Sequence, residues 1–205
     1  MTHVVVRVKL LGVAYLVLVG CLVVLGHVFD IRQFNLDSER TVAAGISVAA
    51  EGSAAAVVFV GWRRRVLPRY AVGLAIFLGW IAIDNALEIH ETLQVAVGIG
   101  WDRIYVPFFA IGTALTLGIA WRVRGWSGIL FASALACWAG AVVLELLQWT
   151  ERFHDRFYAR MMIVEEIAEL TAPLLIIGAV ALLMAPHRLR GPEAVTETTS
   201  TPVDQ

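Results

Sequence analysis

Hydrophobic positions in this chain gather into six long runs separated by short, arginine-bearing connections, at about 8–29, 41–62, 70–97, 104–121, 127–149 and 161–186. Each approaches the ~20 mostly apolar residues that a helix needs to cross the hydrocarbon of a bilayer. The pattern predicts an all-α fold, a six-transmembrane helical bundle over residues 1–186. The polar remainder, 187–205, carries Pro192, Pro202 and several Thr and reads as a disordered tail. The third run is the longest, which predicts a tilted or projecting helix. No period of 20 to 50 residues recurs, so neither a solenoid nor an inverted duplication is supported. The first run has a second reading: Arg7 and Lys9 precede an apolar stretch ending in Leu18, Val19, Gly20 and Cys21, the layout of a lipoprotein signal peptide. Continued apolarity from Leu22 to Phe29 favours a retained span.

Polar residues interrupt the third run where a membrane helix should be apolar. From Phe77 to Glu91 it reads FLGWIAIDNALEIHE. On a continuous helix Asp84, Glu88 and Glu91 fall at i, i+4 and i+7, within roughly a 60° arc, while His90 points elsewhere. A charged side chain at the bilayer centre costs at least ~2.5 kcal/mol, so such a stripe requires water, protons, a metal or partner residues. Counting along alternating spans puts Glu51, Glu145, Glu165, Glu166 and Glu169 in the same outer half, with no Arg or Lys at that depth. Eight of the 17 acidic residues thus share one level. They predict a polar cavity built chiefly by the third and sixth segments.

Simpler roles exist for several of these groups. Glu165 and Glu166 would suit the first turn of the sixth helix, where the macrodipole favours a carboxylate. Glu145 would snorkel to the interface. Glu51 would be satisfied by neighbouring backbone, with Gly52 and Ser53 permitting close helix approach. His27 lies near a span boundary and His154 in a loop, which suits satisfied or solvated imidazoles. Asp84 and Glu88, central and one turn apart, resist such readings best.

Composition adds to the membrane reading. Of 205 residues 59% are hydrophobic and 16% charged, against roughly 25% charged in soluble domains. The partner is a lipid bilayer; a net charge of −1 leaves no basic face for nucleic acid. Cys21 and Cys137 sit in apolar runs and form no disulfide framework. Ten Arg and Lys lie on the side shared by both termini against six on the other, so both termini should be cytoplasmic. Fifteen Arg to one Lys, with abundant Ala, Val and Gly, suggests a GC-rich bacterial genome and hence a multi-pass protein of the bacterial cytoplasmic (inner) membrane. Trp62, Trp101, Trp121, Trp126 and Trp149 fall at span ends as aromatic anchors, and Pro173 should kink the sixth helix beside the acids.

Clustered acids without basic partners are electrostatically satisfied by a cation, and carboxylates with an imidazole suit Fe, Mn or Zn. The leading expectation is a divalent metal ion held by candidates among Asp84, Glu88, His90, Glu91, Glu145, Glu165, Glu166 and Glu169, with Glu51 as a further polar-site residue. Metal-dependent oxidoreductase chemistry is the enzymatic option. Di-iron carboxylate bundles use Glu-x-x-His pairs. Here His90 follows Glu88 by two positions and the sixth segment has no His. No His-x-x-x-His pair supports a zinc hydrolase, and Lys9 as the sole lysine excludes a retinal Schiff base. A proton- or cation-coupled transporter is the rival class, and a non-catalytic assembly or binding subunit the third.

The third segment resembles a motif of uncharacterised bacterial multi-pass proteins, in which a Phe-Leu run leads to Asp-Glu and then His-Glu. The matching residues are Phe77, Leu78, Asp84, His90 and Glu91, with Asn85 in place of the second acid. Glu165, Glu166 and Glu169 are similar to that family's second acidic helix, as is Tyr105-Val106-Pro107 to the start of its fourth. The resemblance implies a helical membrane protein with an acidic site and brings no established activity.

Overall fold

The computed structural model describes residues 17, 21, 42–98, 101–148 and 158–185. The first segment, apart from Val17 and Cys21, lies outside them, as do His27, His154 and the 187–205 tail. Six helices are described: α1 (Val42–Arg63), α2 (Ala71–Leu87), α3 (Ile89–Val97), α4 (Trp101–Val123), α5 (Gly125–Gln148) and α6 (Tyr158–Met184). Four stretches of them are long and apolar enough to cross a membrane: Ala44–Arg63, Tyr105–Val123, Gly125–Leu147 and Met161–Met184. Ala71–Leu87 is a shorter apolar helix of 17 residues, about 25 Å at 1.5 Å per residue.

The third segment is therefore two helices, not the single projecting one its hydropathy predicts. The break falls at Glu88, which adopts the left-handed conformation (φ 52°, ψ 41°) and donates its N–H to the Asp84 carbonyl. Such a conformation costs a non-glycine residue about 1 kcal/mol. Its compensation lies in the bonds that Asp84 makes across the break, described below.

Packing joins α1 to α2 and α6, α6 to α5, α5 to α4, and α4 back to α2, closing a ring of five helices, with α3 resting on α4 beside the break. The third and sixth segments, expected to form a cavity between them, instead meet through α1: among the described residues the main packed partners of α2 are α1 and α4, and those of α6 are α1 and α5. The apolar runs locate α1, α4, α5 and α6 but carry no signal for the circular order of a bundle.

Turn chemistry gathers the basic residues at one end. Val66 N–H reaches the Gly61 carbonyl at 3.1 Å and Arg65 N–H the Trp62 carbonyl at 2.9 Å, the paired bonds of a Schellman cap, with Arg65 left-handed at φ 58°. At the next turn on this end, Arg124 and Gly125 are both left-handed, so α4 reverses into α5 with one intervening residue. Arg63, Arg64, Arg65, Arg69, Arg122 and Arg124 all lie here.

The dry core occupies this arginine half. Val58, Leu74, Leu78, Ile119, Phe131, Ile176 and Val180 are fully buried and come from all five ring helices. Close approach is built in at Gly112, where an added Cβ would stand 2.5 Å from the Phe77 ring. That ring also meets Trp138 edge-on with centroids 6.2 Å apart. Outward, Ile76, Ile83, Val106, Ile111, Ile129 and Val143 are exposed, an apolar exterior suited to lipid rather than water.

Gly112→Ala forces a methyl into the Phe77 ring and is expected to cost about 1–3 kcal/mol. Adding Phe77→Leu should restore part of that loss. Unfolding midpoints of the single and double variants in detergent check the coupling.

Candidate functional site

Asp84 is a buried acid with three protein donors. Its residue is 3% exposed, three residues before the end of α2. Oδ1 accepts the backbone N–H of His90 at 2.9 Å and the Tyr105 hydroxyl at 2.8 Å, and Oδ2 faces His90 Nδ1 at 3.1 Å. The first of these bonds caps α3: the opening N–H groups of a helix lack internal partners, and a carboxylate also suits the positive end of the dipole. The bond from Tyr105 ties the break to α4. Each contributes roughly 0.5–1.5 kcal/mol, more with an ionised acceptor, which outweighs the cost of the left-handed Glu88.

The same contacts fix the imidazole. His90, expected to point away from Asp84, is turned toward it because the chain reverses its local geometry at Glu88. With Nδ1–H donated to the carboxylate, the neutral ring keeps its lone pair on Nε2, available to a proton or a metal. The ring packs edge-on to Tyr105 with centroids 6.2 Å apart and is 27% exposed. Trp80 stacks with Phe108, whose ring also meets Tyr105. A connected series runs from Tyr105 through Asp84 to His90.

A second cluster adjoins it. Glu51, 5% exposed on α1, receives Asn85 Nδ2 at 3.0 and 3.1 Å on its two oxygens. It also lies within electrostatic range of Glu169 on α6 and of Asp84 on α2, and Glu169 is linked in the same way to Glu165. Measured up from the arginine end at 1.5 Å per residue, Glu51, Asp84 and Glu169 stand about 18, 20 and 22 Å along their helices. These three stand at a similar level, with α1 between α2 and α6. Pro173 adds to the polarity of α6 here, having no N–H to donate to the Glu169 carbonyl one turn back.

The remaining candidates divide. Glu165 is buried and Glu166 half-buried, and since α6 begins at Tyr158 they lie about two turns in, not at its first turn. Glu88 is half-buried at the break and Glu145 half-buried on α5, each with interactions of its own. Glu91 belongs to α3, and its side chain lies outside the described residues. Among the described residues no three His, Cys, Asp or Glu side chains converge as a metal-holding group. Asp84 and Glu51, whose oxygens are taken up by protein donors, therefore act as positioning groups here.

Asn85 and Tyr105 are the functional contacts that residue-type reasoning passed over. Asn85 reads as a lost acid, yet it is the donor that a buried Glu51 requires. Tyr105 has a signal only in hindsight: a phenol near the start of a membrane helix, on the level of an acid in the preceding one.

A family model described as a domain of unknown function, DUF8692, matches residues 11–185. No curated protein and no solved structure matches the chain.

Tyr105→Phe removes one donor from Asp84 and is expected to destabilise by about 1 kcal/mol, near the usual range for hydrogen bonds inside membranes. Asp84→Ala strands three donors at once and should cost about 2–4 kcal/mol. Thermal unfolding in detergent should rank wild type above Tyr105→Phe and Tyr105→Phe above Asp84→Ala.

Proposed function

For this chain, which belongs to the DUF8692 family, we propose a role as a multi-pass membrane protein that binds a divalent cation in the acidic half of its bundle. The supporting observation is a charge imbalance. Glu51, Asp84, Glu165 and Glu169 share three neighbouring helices, and the described Arg residues of the bundle's opposite end lie well below them. Arg103 and Arg160 stand in the opening turns of α4 and α6, at the rim of this half, and in this reading the acids deeper in it are satisfied by protons or a cation. In this reading His90 Nε2 supplies the nitrogen ligand and Glu165, Glu166 and Glu169 supply carboxylates. Asp84 orients the imidazole, as second-shell carboxylates do in metal sites. Fe, Mn and Zn all suit that donor set. The described side chains form no closed set of three ligands, so the reading rests on charge and on the orientation of His90. The cation would act there as a Lewis acid or redox centre.

The dry core decides how the site is reached. Seven fully buried apolar residues fill the arginine half, which supports a site entered from the acidic end only. With the arginine end toward the cytoplasm, following the positive-inside rule, that entrance faces the outer side of a bacterial cytoplasmic membrane. Proton- or cation-coupled transport is the second reading, favoured by the hydrogen-bonded series Tyr105, Asp84 and His90. It requires a path through the apolar core.

Metal analysis of protein purified without a polyhistidine tag checks the proposal. Near-stoichiometric divalent metal is expected in wild type, with affinity lower by about 10- to 100-fold in Asp84→Asn, as for second-shell changes elsewhere, and lower still in His90→Ala. A folded, metal-free wild type whose liposomes carry a proton flux abolished by Asp84→Asn would replace cation binding with transport.

A further inference from the structure

The arginine end of α4 and α5 carries an open groove of about 430 Å³ on the outer surface of the bundle. Its α4 wall is Leu117 and Trp121, one turn apart on one face, and Arg124 lines it from the turn that follows α4. Its α5 wall is Gly128, Ile129 and Ala132, again one face. Small residues let the two backbones close at the base: a Cβ on Gly128 would stand 2.7 Å from the Ala120 carbonyl oxygen. The turn at Arg124 and Gly125 lies at its arginine end.

We infer that this groove binds one acyl chain of an anionic phospholipid, with Arg124 at its mouth receiving the phosphate. Three independent features select that occupant. The floor and walls are mostly apolar, and the stretch of α4 from Leu117 to its end at Val123 rises about 9 Å, the length of roughly seven methylenes. Trp121 and Trp126, each 77% exposed, stand at the level where indoles meet headgroups. Charge then separates anionic from zwitterionic lipid. The described residues of this end carry Arg63, Arg64, Arg65, Arg69, Arg122 and Arg124 and no acid, so a phosphate here has no opposing carboxylate. Basic sites between membrane helices recognise anionic headgroups through this combination. Guanidinium groups suit phosphate by their planar pair of donors.

The site is independent of the acidic half, and its test reads lipid, not metal. Full-length protein is reconstituted in vesicles of equimolar phosphatidylcholine and phosphatidylglycerol. It is then extracted gently, and the retained lipids are counted by native mass spectrometry. Wild type should retain phosphatidylglycerol over phosphatidylcholine by at least fivefold. Arg124→Gln should lose that preference by removing the charge. Ala132→Phe should lose it by filling the groove with every arginine in place. Arg64→Gln, an equal loss of charge away from the groove, should keep it. Circular dichroism of each variant confirms that its helices are intact. Equal losses in Arg124→Gln and Arg64→Gln would reduce the effect to diffuse surface attraction and overturn the site. Unchanged selectivity in Ala132→Phe, or no selectivity in wild type, would overturn it as well.

Discussion

A carboxylate at bilayer depth must find donors inside the protein, and Asp84 finds them by ending the helix that carries it. Its oxygens accept the N–H of His90, the Tyr105 hydroxyl and the His90 ring, and a continuous helix would not present the two His90 groups to it. A straight α2 would leave His90 six residues and more than one and a half turns away, on another face. The left-handed turn at Glu88 is thus a consequence of where the acid lies. From it follow the seat of α3 on α4, the edge-on meeting of His90 and Tyr105, and the fixed ring orientation that leaves Nε2 available.

The bundle is polarised along its axis. In one half, mostly apolar side chains from five helices interlock, with Thr116 satisfied by the Gly112 carbonyl, and Phe77 fills the space that Gly112 leaves open. In the other, acids on α1, α2 and α6 face one another through Asn85 and the Asp84 network. The division has a mechanical sense. Polar networks in low dielectric hold their geometry only if each member is satisfied, and a close-packed half below them supplies a rigid base. The same packing separates the acids from the opposite membrane face.

Much of this was legible in the sequence, and the illegible parts share a cause. Long apolar runs identify α1, α4, α5 and α6 as membrane helices, and a fixed rise of 1.5 Å per residue with alternating direction puts Glu51, Asp84 and Glu169 on one level. The break at Glu88 has no local signal: Leu87, Glu88 and Ile89 include neither Gly nor Pro, and helix propensity favours continuing. It is imposed by a tertiary bond from Tyr105 and a cap from Asp84, so the regular i, i+4, i+7 stripe misplaced His90. The role of α1 as bridge was hidden for a related reason. Asn85 reads as the absence of an acid until Glu51, 34 residues earlier, is seen against it.

Charge separation connects the two ends of the molecule. An arginine paired to a carboxylate at 4 Å gains about 4 kcal/mol at an effective dielectric constant of 20, but at 18 Å the same expression gives roughly 0.9 kcal/mol before screening. The arginines of the turns and the acids of the upper half stand about that far apart along α1 and α2, so they do little to neutralise each other. Each group must therefore draw its counter-charge from its own surroundings. For the acids, enclosed by lipid and protein, that means protons or a cation entering from the nearer face. For the arginines, exposed beside Trp121 and Trp126, it means the phosphates of the membrane itself. A chain whose net charge is −1 thus keeps its buried acids and the arginines of its turns at opposite ends of an apolar core, each answering to its own surroundings.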